Sequence, residues 1–181
     1  MLQCQLILLM FLAVGLKYLK YDYMYSFPTD KKDDREKIPL SLSVVDSAGQ
    51  NLKDWLSERK DRVFPGSDII FFIFDVSEWL EDATRTEIQD MIMEIYNQRL
   101  ELAPESTFYI IAHKFDKIEG KARDQMRKQI KKELNDYVFD KMMKFLDFEI
   151  YITSLEEDYV NDTFLTILNL TTDLIARSGS G

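Results

Sequence analysis

The sequence predicts an α/β fold: three layers, with a mainly parallel sheet and helices on both faces. Two observations carry that expectation. Ile69–Val76 (IIFFIFDV) and Phe108–Ala112 (FYIIA) are near-continuous apolar runs, the mark of strands buried on both faces. They alternate with longer segments whose apolar residues recur at helical spacing, and strands alternating with helices build parallel sheets.

Taken in order, the chain opens with an uncharged apolar run, Leu6–Leu16 (LILLMFLAVGL), preceded by MLQCQ. It lacks the positive start and small-residue cleavage site of a secretory signal. It is also shorter than the roughly 20 residues of a membrane-spanning helix. It reads as a buried core element, a lone first strand or, preferably, a helix covering apolar sheet surface; a signal or membrane anchor is the alternative. Tyr18–Phe27 (YLKYDYMYSF) is aromatic, as strands often are, and Pro28–Lys37 is a charged break read as a turn. Leu40–Val45 (LSLSVV) alternates apolar residues with Ser, which suits a strand with one polar face. A polar stretch runs on to Arg62, before the strand at Ile69–Val76.

From Glu78 to about Leu102, the residues Ile88, Met91, Ile92, Ile95 and Tyr96 predict an amphipathic helix that Pro104 stops. After the strand at Phe108–Ala112, a second long helix is marked by Met126, Ile130, Leu134, Val138 and Met142. Phe148–Ile152 (FEIYI) is a short strand, and Tyr159–Ile175 a closing helix carrying Phe164, Ile167, Leu168 and Leu174. No repeat or inter-domain linker interrupts the pattern. The expected division is an apolar segment over 1–17, one domain over 18–176 and a flexible tail over 177–181.

Bulk composition limits the function. With 181 residues the chain can bury one substantial core. Its 32 acidic residues outnumber 23 basic ones, for a net charge of -9, which disfavours a nucleic-acid partner. The basic residues of Lys121–Lys132 are interleaved with acidic ones and read as a solvated helix face. The single cysteine, Cys4, excludes an internal disulfide and fits a reducing, cytoplasmic setting.

Three polar motifs follow strands at their carboxyl ends, where α/β sheets bind ligands. In DSAGQ, Asp46–Gln50, the aspartate can hold Mg²⁺, Gly49 lets the backbone approach a terminal phosphate, and Gln50 can orient a water. Alone, this motif reads equally well as a polar turn. In HKFD, His113–Asp116, the carboxylate of Asp116 can accept from the ring N–H and amino group of guanine, and the stem of Lys114 can lie across a base. His113 is the only histidine, and no nucleophile pattern accompanies it, so a hydrolytic triad is excluded. Thr153 and Ser154 offer N–H groups and hydroxyls to a base carbonyl. There is no zinc spacing, EF-hand loop or dinucleotide fingerprint.

In this order the motifs resemble the switch-two and guanine-specificity elements of Ras-superfamily small GTPases. His113 stands where most members have Asn, as in the Rag/Gtr group. Arg62–Val76 (RVFPGSDIIFFIFDV) is also similar to a Rag/Gtr strand; Arf-like proteins are the next most similar. The resemblance spans about residues 18–176. It implies a small GTPase-like P-loop NTPase fold and a signalling protein that binds GTP or GDP with Mg²⁺. Asp46 would serve the metal, Gly49 the phosphate and Gln50 the hydrolytic water. His113, Lys114, Asp116, Thr153 and Ser154 would form the base site.

The departure is large. GxxxxGK[ST] occurs nowhere, and Gly15-Leu16-Lys17 does not continue as a P-loop. That loop supplies most phosphate contacts, so its loss is expected to weaken binding by orders of magnitude and to impair GTP hydrolysis further. The first reading is a Rag/Gtr-like guanine-nucleotide-binding regulatory protein. The alternative is a nucleotide-independent pseudo-GTPase module that binds a protein partner, perhaps another GTPase-like subunit. An unrelated doubly wound domain is a third reading, in which the motifs would share no cleft. Nucleic acid is not an expected partner, nor is a membrane, although the apolar start leaves one open.

Overall fold

The computed structural model describes residues 2–10, 17–28, 35–47, 56–58, 60–119, 122–143, 146, 148–156, 163 and 166. It is an α/β domain whose parallel strands are flanked by helices. Six strands form one sheet: β1 (Leu2–Met10), β2 (Lys17–Pro28), β3 (Arg35–Ser47), β4 (Ile69–Asp75), β5 (Thr107–His113) and β6 (Glu149–Ile152). Their order is β2-β3-β1-β4-β5-β6, parallel throughout except for the β2–β3 pair.

The apolar start is therefore a strand and not the preferred helix. β1 lies between β3 and β4, with Leu6 facing both Val44 and Ile69 in register. A strand with neighbours on both edges needs an apolar run that serves both faces, and LILLM supplies it. An apolar run carries no periodicity by which a helix could be told from such a strand. Strand β3 also begins earlier than Leu40, because antiparallel pairing with β2 carries the ladder from Lys17↔Asp46 to Pro28↔Arg35 through Glu36 and Lys37.

β4 is the centre of the core. Ile69, Ile70, Phe71, Phe72 and Phe74 are buried, and β5 pairs with β4 along seven residues. Ile70, Phe72 and Phe74 share one core with Phe108, Ile110 and Ala112 of β5 and with helices α1 (Asp82–Leu102) and α2 (Arg123–Met142). Helix α1 contributes Ile88, Ile92 and Ile95, and α2 contributes Met126, Ile130, Leu134 and Val138, the positions their periodicity picks out. On the other face Phe71 stacks on Tyr109 at 5.6 Å, and Tyr109 meets Tyr151 edge-on at 5.9 Å.

The expected helix from Glu78 is also corrected. Val76–Leu80 is a 3₁₀ turn capped by Asp75, and the α-helix starts only after the extended residue Glu81. The helix ends before Pro104 as expected. Its exit is held by Arg99, whose Nε donates to the Ser106 carbonyl at 2.8 Å and whose Nη2 donates to Pro104 at 3.1 Å. The expected closing helix at Tyr159–Ile175 and the tail at 177–181 lie outside the described residues, save Thr163 and Thr166, which are both helical.

Candidate functional site

The parallel strands β4, β5 and β6 all end on one rim, and each run of apolar residues gives way there to a polar one. The rim carries Asp75 from β4, His113–Asp116 from β5 and Thr153-Ser154 from β6.

The loop after β5 is held by its neighbours. Lys114 adopts a left-handed conformation (φ 60°, ψ 43°), uncommon for a residue with a Cβ. It lets the chain turn at once into the 3₁₀ segment Phe115–Lys117, closed by Lys117 N–H to the Lys114 carbonyl at 3.1 Å. The Phe115 ring is buried and anchors the turn. The β5–β6 ladder continues beyond both strands: Thr153 N–H donates to Ala112 at 3.0 Å and Phe115 N–H to Thr153 at 3.2 Å.

Side chains tie the two loops further. His113 Nδ1 and Thr153 Oγ1 are 2.8 Å apart, and the Ser154 hydroxyl donates to the Asp116 carboxylate. Ser154 is itself fixed, its N–H donating to Thr163 Oγ1 at 3.0 Å while that hydroxyl donates back to the Ser154 carbonyl at 2.7 Å. Thr153 and Ser154 are both fully buried. Their hydroxyls position the loops rather than attack a substrate, and His113 is committed to Thr153. The structure brings His113, Lys114, Asp116, Thr153 and Ser154 into one cluster.

Asp75 is the residue that the motif search misses. Its side chain is only 4% exposed, yet it carries a charge. It accepts from Lys117 Nζ at 2.6 Å, Lys114 Nζ at 3.1 Å, and the Ser77 hydroxyl and N–H at 2.7 and 3.1 Å. Burial opposes its ionisation. The bonds from Lys117, Ser77 and Lys114 together overcome that penalty and hold the carboxyl well below the usual carboxylate range. The one signal in the sequence is a charged residue closing the apolar run IIFFIF. Glu78 nearby is pushed the other way, by burial and then by the Asp75 charge, and its Oε2 is buried with no hydrogen-bond partner among the described residues.

Burial, and next the Lys114 charge, lowers the His113 pKa, so the ring is neutral at pH 7. The folded state then binds fewer protons than the unfolded chain in mild acid. The His113 contribution to stability is full above about pH 6.5 and is lost as pH falls below it. Urea titrations between pH 7.5 and 5.5 should show a falling midpoint, with a shallower fall in His113→Asn.

The switch-like motif is only partly in view. Asp46 pairs in register with Leu8 and with Lys17 near the carboxyl end of β3. Leu8 also pairs with Phe71, so Asp46 stands level with a residue four positions before Asp75. Gly49 and Gln50 lie outside the described residues. Among the described residues, no group of three or more acidic, His or Cys side chains could hold a metal ion.

A family model described as the Gtr1/RagA G protein conserved region matches residues 26–175. The match begins inside β2 and takes in all three motifs, leaving β1 before it. Comparison with curated proteins finds no match. Among solved structures the chain is similar to "The Structure of the Mammalian SRP Receptor", with a TM-score of 0.50 at 13% identity, covering 87% of this chain and 95% of that one. At that identity the likeness concerns fold alone.

Proposed function

Since the chain belongs to the Gtr1/RagA family of G proteins, we propose that it is a regulatory domain that keeps guanine recognition and has lost most phosphate binding. The observation that carries this is the clustering of Asp116, Ser154, Lys114 and Asp75 on one rim. A carboxylate held there accepts from the two donors on one edge of guanine, which adenine does not offer. The Lys114 ammonium is held by Asp75 on the same rim.

The residues fit the base and not the phosphates. The full P-loop NTPase topology would place the phosphate loop and a helix between the first two strands. Here six residues, 11–16, join Met10 to Lys17. The two strand ends they join lie on either side of β3, roughly 10 Å apart at about 4.8 Å per strand spacing. That leaves no length for a phosphate loop followed by a helix. By resemblance Asp46 would meet Mg²⁺, Gly49 the terminal phosphate and Gln50 the water, but without that loop we derive no hydrolytic step for them. A protein partner, such as another GTPase-like subunit, and a cytoplasmic location belong to the same reading. No described helix is long and apolar enough to cross a membrane.

The same six-residue link favours a second reading, a nucleotide-independent interaction module. Calorimetric titration separates the two. We expect GDP and GTP to bind with dissociation constants weaker than about 1 μM, ADP not to bind, and Asp116→Ala to abolish the signal. A folded protein that shows no heat with millimolar GDP establishes the second reading instead. Nanomolar affinity would overturn the loss of phosphate binding.

A further inference from the structure

The basic residues of α2 alternate with acidic ones in sequence, but the helix sorts them by side. Glu133 faces Trp79, whose Nε1 donates to it at 2.7 Å, and Lys132 pairs with Asp136 at 3.6 Å. Arg123, Arg127 and Lys131 recur every fourth residue, so they stand in one row along the flank beside β6. Two adjoining cavities lie between that row and the strand. One, of about 320 Å³, is lined by Arg127, Lys128, Lys131, Glu149, Ile150 and Tyr151. The other, of about 360 Å³, has Arg123, Asp124, Arg127, Tyr151 and Ile152 in its lining. They share Arg127 and Tyr151, and together they form one groove along the length of β6.

Four cations and two carboxylates line this groove, in a chain whose net charge is -9. Asp124 lies 3.3 Å from Arg127, and Glu149 accepts from the Tyr151 hydroxyl. Lys128 and Lys131 are exposed, and no ion pair among the described residues engages either. The other wall is a sheet edge, since β6 ends the order of the described strands. Thr153 N–H donates to Ala112 of β5, so by alternation Ile150 and Ile152 turn their N–H and C=O groups away from β5. Arg123 Nη2 reaches one of these, the Ile152 carbonyl, at 3.1 Å. The groove thus offers backbone groups on one wall and positive charge on the other.

We propose that this groove takes an extended acidic segment of a partner protein, added beside β6 as a further strand with its carboxylates on Arg127, Lys128 and Lys131. The spacing selects that occupant. Cations at every fourth helical residue stand roughly 6 Å apart, and alternate side chains of a strand roughly 6.6 Å apart. Acidic residues at alternate positions therefore meet the row one for one. From Arg123 to Lys131 the row spans roughly 12 Å, more than a single phosphate can bridge and about the reach of four extended residues. Edge strands recruit such segments through main-chain hydrogen bonds, and the charge on the helix flank gives the specificity. The proposal is independent of nucleotide binding.

The test uses the full chain and a fluorescent peptide of alternating Thr and Glu, followed by anisotropy. We expect saturable one-to-one binding at or below about 100 μM in low salt, with slowed amide exchange in β6. Arg127→Glu and Lys131→Glu should each weaken it at least about tenfold. Lys132→Glu, the same charge change outside the groove, should leave it within about twofold. Thermal unfolding confirms the fold of each variant. The same peptide with its backbone N-methylated keeps the charge but donates no N–H, and should bind at least about tenfold more weakly. No binding, equal loss from Lys132→Glu, or equal binding of the N-methylated peptide overturns the proposal. Failure with the peptide alongside Arg127-dependent binding to phosphatidylserine vesicles would assign the groove to a membrane surface and overturn it equally.

Discussion

Trp79→Ala is expected to destabilise the domain by about 3–5 kcal/mol. Trp79 is fully buried in the 3₁₀ turn that joins β4 to α1, with its ring 5.5 Å from Phe74. Its Nε1 donates to Glu133 Oε2 of α2 at 2.7 Å, so one side chain ties the central strand to the second helix. Truncation opens a cavity among residues that cannot close over it and removes the donor from a partly buried carboxylate. Glu133 keeps one bond, from Gln129 Nε2 at 2.9 Å, which limits that second cost. Trp79→Phe keeps most of the ring and should cost much less, nearer the roughly 1–3 kcal/mol of a lost bond to a charged group. Urea denaturation followed by circular dichroism measures both. A loss below about 1 kcal/mol for the alanine variant would show that the turn is not the joint described.

Asp75→Asn should have the next largest effect, about 1–3 kcal/mol. Breaking a buried ion pair costs roughly 3–5 kcal/mol, but the lysine partners are 42% and 47% exposed and water screens the exchange. The substitution keeps the shape and removes the charge that holds Lys114 and Lys117. The pH profile identifies the cause. In the folded protein the Asp75 carboxyl ionises well below its unfolded value of about 3.9, so the folded state binds fewer protons than the unfolded chain in that range. Its contribution is therefore complete above about pH 4 and drains away as acid is added through the folded value. Asp75→Asn should lose stability at pH 7 and show a shallower acid limb. An unchanged acid limb would count against the cluster.

Most of the fold was legible because its central strands are apolar on both faces. Ile69–Val76 and Phe108–Ala112 came within a residue of the observed limits at each end. Helix α2 was legible because Met126, Ile130, Leu134 and Val138 recur every four residues and are fully buried. The failures have equally local causes. A 3₁₀ turn at Val76–Leu80 blends into helical spacing, so Glu78 looked like the start of α1. Leu6–Leu16 is apolar throughout and shows no period. Of the site, HKFD and the Thr153-Ser154 pair could be read as loops at strand ends. Asp75 could not, since its meaning rests on lysines 39 and 42 residues away.

The place of β1 has a consequence for how the domain comes apart and together. Strands β2, β3 and β1 pair entirely within the first 47 residues, whereas β4, β5 and β6 pair among residues 69–152. A single seam, Leu6–Met10 against Ile69–Ile73, joins the two triplets. The sheet is thus a pair of cooperative units sharing one short border, and amide exchange would report them as two foldons. β4 follows the N-terminal triplet in the chain, so this border can zip as soon as Ile73 has been made, before β5 and β6 extend the sheet at its far edge.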